Sequence, residues 1–424
     1  MTTWIKCITA KLSLSFLIFI LFLLAVPLHA AQKDEQGTAE VDGAATFNEC
    51  IAGLQQVAAT QGIPPLVAVK TLAKVSFLPR IIELDRRQPE FTATFADYLN
   101  RRVTSERIER GRQLLEEHRD LLNRLVEIYG IPPQYLISFW GLETNYGSYL
   151  GNIPTLDALA TLACDQRRSS YFTTELFNAM RLLQKPGINE PLYGSWAGAM
   201  GHTQFMPSAY LRYGVDGDGD GEVNLWTSVA DALTSAANFL HNLGWKRGLR
   251  WGREVLLPQD FSFDNLGLNN KQSFEAWRNT GIRTATNGPL PSISSGTQLQ
   301  AALLLPSGHQ GPAFLVYDNF EVIMRWNRSE FYALAVGHLA DRINGAGTLR
   351  QPPPENQPRL SIAQVKDMQT RLLVLGFEVG VPDGILGPAT RQAIRAFQQS
   401  MDIKADGYPS EQVLVSLKTK TDEL

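Results

Sequence analysis

The stretch Trp140-Gly141-Leu142-Glu143-Thr144-Asn145-Tyr146-Gly147 sets one carboxylate beside large aromatic side chains. Phe139 and Trp140 precede Glu143 by four and three residues, so the three share one helical face. A carboxyl desolvated by aromatic neighbours keeps its proton to higher pH, and a proton held near neutrality is what a general acid needs to cleave a glycosidic bond. The same pattern also fits a carboxylate that caps or pairs within a core. A second constellation is Ser195-Trp196-Ala197-Gly198-Ala199-Met200-Gly201-His202-Thr203-Gln204-Phe205-Met206-Pro207-Ser208-Ala209-Tyr210. Its small residues let a backbone approach a ligand, and Ser195 and Gln204 offer neutral donors and acceptors suited to sugar hydroxyl and acetamide groups. By composition alone it also fits a tight helix crossing.

A third group is Asp216-Gly217-Asp218-Gly219-Asp220-Gly221-Glu222-Val223-Asn224-Leu225-Trp226-Thr227, which resembles an EF-hand calcium loop. Asp216, Asp218 and Asp220 give hard oxygen ligands, Gly221 allows the sharp turn, and Val223 is apolar as such a loop requires. Glu222 would contribute its backbone carbonyl, and Asn224 would ligate directly or through water. Thr227 stands where the closing Glu belongs, so Asp231 is the candidate late acid, and a merely acidic turn is the alternative.

These groups need elements to hold them. Ile131-Pro132-Pro133 predicts the start of the Glu143 helix, with proline where a missing N–H costs least, and Gly147 predicts its left-handed stop. From Phe47 to about Leu243 the apolar spacing is helical. Ile108 to Tyr129 reads as one helix with Leu114, Leu115, Leu121, Leu122, Leu125 and Val126 on one face. Between about Arg253 and Trp326, short runs such as Glu254–Leu257 and Ala313–Tyr317 predict a small sheet, and Ser329 to Asn344 a closing helix. Residues 351–358, Gln-Pro-Pro-Pro-Glu-Asn-Gln-Pro, predict an extended spacer between two independently folded pieces. Helical patterns follow at Ser361–Leu375 and Pro388–Ser400, around the turn Pro382-Asp383-Gly384.

Lys6 and Lys11, the apolar run Leu12 to Leu28 and His29-Ala30-Ala31 have the three-part build of a secretory signal peptide over residues 1–30. An uncleaved anchor is the rival reading; Cys7 precedes the run and cannot be a lipoprotein cysteine. Residues 31–44 read as a flexible lead-in, and no later stretch is apolar for long enough to span a membrane. The formal charge of −3, more negative once Lys6 and Lys11 are removed, argues against nucleic acid as the main partner. In an exported chain Cys50 and Cys164 are a candidate disulfide, with two buried thiols as the alternative.

Taken together, the Glu143 and Ser195–Tyr210 motifs resemble the soluble lytic transglycosylases of the membrane-bound lytic transglycosylase B family, over nearly all of residues 45–345. The resemblance implies an α+β, predominantly α fold, with a lysozyme-like helical catalytic domain and a small β subdomain over 45–346. It implies that Glu143 is the single catalytic acid and base and that Ser195 and Gln204 line the groove. In Arg325-Trp326-Asn327-Arg328-Ser329-Glu330-Phe331-Tyr332, it implies that Asn327 and Tyr332 form the late active-site segment. Trp326 stands where a tyrosine is also found, which keeps stacking and loses a hydroxyl. Tyr171 matches a groove tyrosine and Tyr98 a further one. The resemblance supports one structural calcium at the Asp216 loop and no organic cofactor. After a Pro-rich linker at 347–360, residues 361–420 look like a three-helix peptidoglycan-binding domain, on Asp383-Gly384-Ile385-Leu386-Gly387-Pro388-Ala389-Thr390 and Ala393-Ile394-Arg395-Ala396-Phe397-Gln398.

An ordinary glycosidase uses two carboxylates. Here only Glu143 sits in such a motif; nothing marks Asp157, Asp165 or Glu175 as facing a sugar. The expected function is therefore a lytic transglycosylase that cleaves the β-1,4 bond between N-acetylmuramic acid and N-acetylglucosamine and leaves 1,6-anhydro ends. A muramidase-type hydrolase and a non-catalytic wall-binding protein are the alternatives. A metal-dependent amidase would need clustered ligands, and His118, His202, His241, His309 and His338 show no paired spacing. The expected setting is the periplasm, with peptidoglycan glycan strands as partner, a monomeric state and no permanent membrane span after signal cleavage.

Overall fold

The structure is a computed structural model that describes residues 35–87, 93–292 and 299–424. The signal peptide expected at 1–30 lies outside the described residues. The chain divides into two units, Met1–Thr46 and Phe47–Leu424, and the second holds the packed cores and both sheets. Helical backbone already begins at Glu35, inside the segment read as a flexible lead-in, where alanine and glutamate favour helix. Seventeen helices and two small antiparallel sheets make up the described residues. No helix among them is long and apolar enough to cross a membrane.

The helix Pro133–Thr144 forms the axis of the main core. Leu136, Ile137 and Phe139 are fully enclosed, in one cluster with Leu334, Val336 and Leu339 of the helix Glu330–Ile343. Ser138 Oγ donates across this contact to the Val336 carbonyl at 2.7 Å. The helix ends earlier than the expected stop at Gly147: Asn145, Tyr146 and Gly147 all take positive φ, and Asn145 is the cap. Asparagine tolerates this conformation because its short amide bonds locally, here donating to Ser148 Oγ at 2.9 Å.

Ile108–Tyr129 is two helices, Ser105–Glu117 and Arg119–Tyr129, broken at His118. Both pack on the helix Pro133–Thr144, but the first also meets Glu330–Ile343 and the second Val229–Asn242, so no single straight axis serves them. A second core joins the first described helix to Thr155–Ala163 and Ser169–Leu182. Cys50 and Cys164 face each other across it with Cα atoms 5.9 Å apart and their sulfurs bonded.

The larger sheet orders its strands Gln272–Ser273, Gln300–Leu304, Ala313–Val316, Gly252–Leu256, Arg283–Thr284. Alternation along it builds two cores: Ala302, Leu304, Phe314 and Val316 join the main core around the helix Pro133–Thr144, whereas Ala301, Leu303, Ala313 and Leu315 pack with Phe274 and Trp277.

The tail holds three helices, Ile362–Val374, Pro388–Ser400 and Glu411–Asp422, around Met368, Leu372, Ile394, Phe397 and Val413. The segment before it is extended and bonded to the body. The Glu254 carboxylate accepts from the Arg350 and Gln351 amides at 2.9 and 2.8 Å, and Gln357 donates to the Ser307 carbonyl at 2.8 Å. His309 N donates to Asp406 at 2.9 Å, and Arg359 pairs with Asp97 at 2.7 Å. A proline run has no internal hydrogen bonds, so its flanking polar groups are available to bond to the body.

Candidate active site

Glu143 sits in the last turn of its helix, half-buried, one residue before the chain leaves helical geometry. Phe139, one turn earlier, stacks at 4.5 Å on the Trp326 ring, which also packs on Phe205 and Phe239 at 5.4 and 5.1 Å. This aromatic nest aims the indole: Trp326 Nε1 donates to Glu143 Oε1 at 2.9 Å, and Tyr332 donates its hydroxyl to the same oxygen. Trp326 therefore brings more than stacking; its indole N–H supplies a donor in place of the hydroxyl that a tyrosine would carry. Burial, then the charge of Glu143, pushes the Tyr332 phenol well above its usual range, so it stays a donor.

The turn after Glu143 is locked to the second motif. Trp140 Nε1 donates to His202 Nδ1 at 3.0 Å, and Thr144 Oγ1 donates to the His202 carbonyl at 2.7 Å. Burial lowers the His202 pKa, in keeping with a neutral ring that accepts at Nδ1. Gly147 packs so tightly here that a Cβ would lie 2.2 Å from His202 Cε1. Sequence alone gives His202 no role, since nothing in a lone histidine signals a partner 62 residues away.

Ser195 lies in a turn where its Oγ accepts from the Ala199 amide at 3.0 Å. Gln204, at φ 50°, donates to the Leu150 carbonyl at 3.2 Å, so both motifs shape the same loop. Asn327 caps the helix Asp318–Trp326, next to the Glu143 donors. Tyr171 is exposed on the helix Ser169–Leu182. Tyr98 is in the core against Phe331, behind the site rather than on an open wall. Among the other carboxylates, Glu175 is buried and takes both the amide and hydroxyl of Ser208, and Asp157 accepts from the Ser76 amide. Asp165 pairs with Arg86.

A family profile described as the transglycosylase SLT domain matches residues 46–341, most of the chain. The chain belongs to the SLT transglycosylase family. A second profile, for a peptidoglycan binding domain, matches 361–417. Membrane-bound lytic murein transglycosylase B of Escherichia coli is 35% identical over 255 residues, which covers 58% of this chain and 66% of that protein. SltB3 of Pseudomonas aeruginosa, solved in complex with NAG-anhNAM-pentapeptide, is 39% identical with a TM-score of 0.83, covering 88% of this chain and 99% of that one. The Escherichia coli lytic transglycosylase Slt35, solved with calcium, is 29% identical with a TM-score of 0.58, covering 70% and 92%. The helical body with a small β subdomain and the three-helix tail are thus the architecture of this SLT transglycosylase.

At the acidic loop, the structure gathers Asp216, Asp218 and Asp231 with carboxylate oxygens within 4.8 Å of one another. Asp231, expected only as a late substitute, is buried and belongs to the group. Asp220 lies outside this group and accepts from the Glu222 amide, and Asn224 Oδ1 accepts from the amides of Trp226 and Thr227. The Glu222 side chain lies over Gly187, where an added Cβ would meet its carboxylate at 2.3 Å. Three convergent hard oxygen donors fit a calcium ion. Backbone N–H groups of Gly221 and Gly219 hold the Asp216 carboxyl below its usual range and keep it ionised.

Proposed function

We propose that this SLT transglycosylase is a peptidoglycan lytic transglycosylase that cleaves the β-1,4 bond between N-acetylmuramic acid and N-acetylglucosamine with Glu143 as its only acid and base. The observation that carries this reading is the pair of donors converging on one Glu143 oxygen. An indole nitrogen only donates, so Oε1 is an acceptor and the catalytic proton belongs on Oε2. Glu143 gives that proton to the glycosidic oxygen as the C1–O bond breaks, and the substrate's acetamide oxygen bonds to C1. The carboxylate then takes the proton of the C6 hydroxyl; O6 attacks C1 and the acetamide leaves. No water is consumed, and Glu143 ends as it began, protonated. Trp326 and Tyr332 stabilise the carboxylate between the two steps.

Ser195, Gln204, Tyr171, Asn327, Tyr332 and Tyr98 are proposed to shape the sugar groove, with Tyr98 acting from behind. The tail is proposed to hold the enzyme on the insoluble polymer and raise the local substrate concentration. Asp216, Asp218 and Asp231 are proposed to hold one structural calcium that pins the loop before the helix Val229–Asn242. Export to the periplasm, action as a monomer, a catalytic domain over 45–346 and a wall-binding domain over 361–420 complete the proposal.

Digestion of purified sacculi followed by mass analysis tests it. Anhydro ends are expected from the unaltered protein and no product from Glu143→Gln, which keeps the shape but cannot donate the proton. Reducing ends, freed peptides, or near-full activity in the variant would overturn it.

A further inference from the structure

Between residues 129 and 361, the large apolar side chains that stand exposed among the described residues are three tyrosines, Tyr149, Tyr171 and Tyr193. Tyr171 already belongs to the proposed groove, whereas Tyr149 and Tyr193 have no part in the mechanism. Tyr149 is 65% exposed, yet its backbone is fixed: its N–H donates to the carbonyl of Thr144, the residue after Glu143, at 3.1 Å. The next carbonyl, of Leu150, accepts from Gln204. Tyr193 is 44% exposed, and its carbonyl accepts from Trp226 Nε1 at 2.9 Å. It stands opposite Pro154 in the two-stranded sheet, two residues before Ser195.

The two loops meet where Gly151 lies on Gly194, so closely that a Cβ on Gly151 would stand 2.1 Å from the Gly194 carbonyl oxygen. Each exposed ring is thus carried within two residues of one backbone seam, and the same seam leads to Ser195 and to the acceptor of Gln204. Apolar side chains scattered singly over a surface need no explanation, but exposed rings confined to the rim of one site mark a binding face. The chemistry of the rim selects the occupant. A phenol pairs an apolar face with a polar tip, and a sugar ring likewise presents C–H faces edged by hydroxyls. Ser148 and Asn152 beside Tyr149 are exposed and polar, and no exposed aliphatic side chain shares these loops, as the core of a protein interface would require.

On the reading of Glu143 as the centre of a glycan groove, we propose that Tyr149 and Tyr193 are stacking subsites that carry the strand past the cleaved bond, so that long glycan is preferred over short. Sugars held there do not react. Their binding energy instead offsets the cost of fixing the reacting pair at Glu143, which raises kcat/KM with strand length. The fixed backbones of both loops keep the rings in place before the strand arrives, so little ordering remains to be done on binding.

Peptide-free glycans of two, three and four disaccharide repeats make the test, with formation of anhydro ends as the readout on the full protein. For the unaltered protein kcat/KM is expected to climb with length. Tyr149→Ala and Tyr193→Ala should each lower it about tenfold on the longest glycan and little on the shortest, since each removes one apolar face. Tyr149→Phe and Tyr193→Phe keep that face and should keep the climb. A climb that survives both alanine substitutions, a loss equal at every length, or phenylalanine variants as poor as the alanine ones would overturn the subsites. Calorimetric binding of the longest glycan to Glu143→Gln, with and without each alanine substitution, repeats the comparison without catalysis. Binding that weakens in the alanine variants while the unaltered protein forms no anhydro ends would sink the chemistry and keep the subsites; anhydro ends formed equally well at every length would do the reverse. Alanine variants that change only the sedimentation of the protein would assign the tyrosines to contact between copies and end the proposal.

Discussion

The indole of Trp326 reaches Glu143 at 2.9 Å across 183 residues of chain, so the helix Asp318–Trp326 ends on the carboxylate it serves. Trp326→Phe keeps the stack on Phe139 and removes only the donor. Hydrogen bonds to charged groups contribute about 1.5–3 kcal/mol, and each ~1.4 kcal/mol is tenfold in rate. We expect kcat on sacculi to fall roughly ten- to hundredfold with little change in KM or Tm. An unchanged kcat would remove Trp326 from the machinery.

Tyr332 gives a pH expectation. Its phenol is raised above 10.0 by burial first and by Glu143 second. Unfolded tyrosine ionises near 10, so the stabilisation is complete below that pH and is lost as pH climbs through the higher folded value. The activity profile should show no alkaline limb from this group below about pH 10. Tyr332→Phe should lower kcat and, by removing a donor to the carboxylate, move the limb set by Glu143 to higher pH; a profile and a kcat both unchanged would contradict the assignment.

Gly147→Ala tests the seam between the two motifs. The position has φ 79°, and its Cβ would collide with the His202 ring, which Trp140 holds from the other side. A residue forced into this backbone region costs of order 1–3 kcal/mol. Because the clash lies four residues from Glu143, activity should fall further than Tm. Equal activity at a lowered Tm would confine the seam to stability.

Calcium should raise Tm. At one hundred times Kd a ligand adds about 2.7 kcal/mol, a shift of about 4 °C for a domain of about 300 residues. Asp216→Asn and chelator should each abolish the shift. The Asp216 carboxyl is lowered from 3.8, so its contribution is present above that pH and is lost as pH falls through the folded value. Tm indifferent to calcium between pH 5 and 8 would reduce the cluster to an acidic turn.

What the sequence determined by itself is local. The Pro132-Pro133 start, the aromatic spacing before Glu143 and the β-rich run Ala313–Val316 are written in neighbouring residues, because local residue types and spacing decide the element and which side chains share a face. The break at His118 was not legible, since apolar spacing continues through it and only the different neighbours of its two halves bend the axis. Nor were the bonds that tie the edge of the extended spacer to the body, because the amides of Arg350 and Gln351 find Glu254 only once the sheet is built.

The tertiary structure alone decided the function of partners distant in sequence. It turned Trp326 from a stacking ring into a donor, His202 into the acceptor for Trp140, and Asp231 into the third acid of the loop. A hydrogen bond needs two atoms within about 3 Å and nearly in line. Sequence spacing sets that geometry within one helix turn, and only packing sets it between elements.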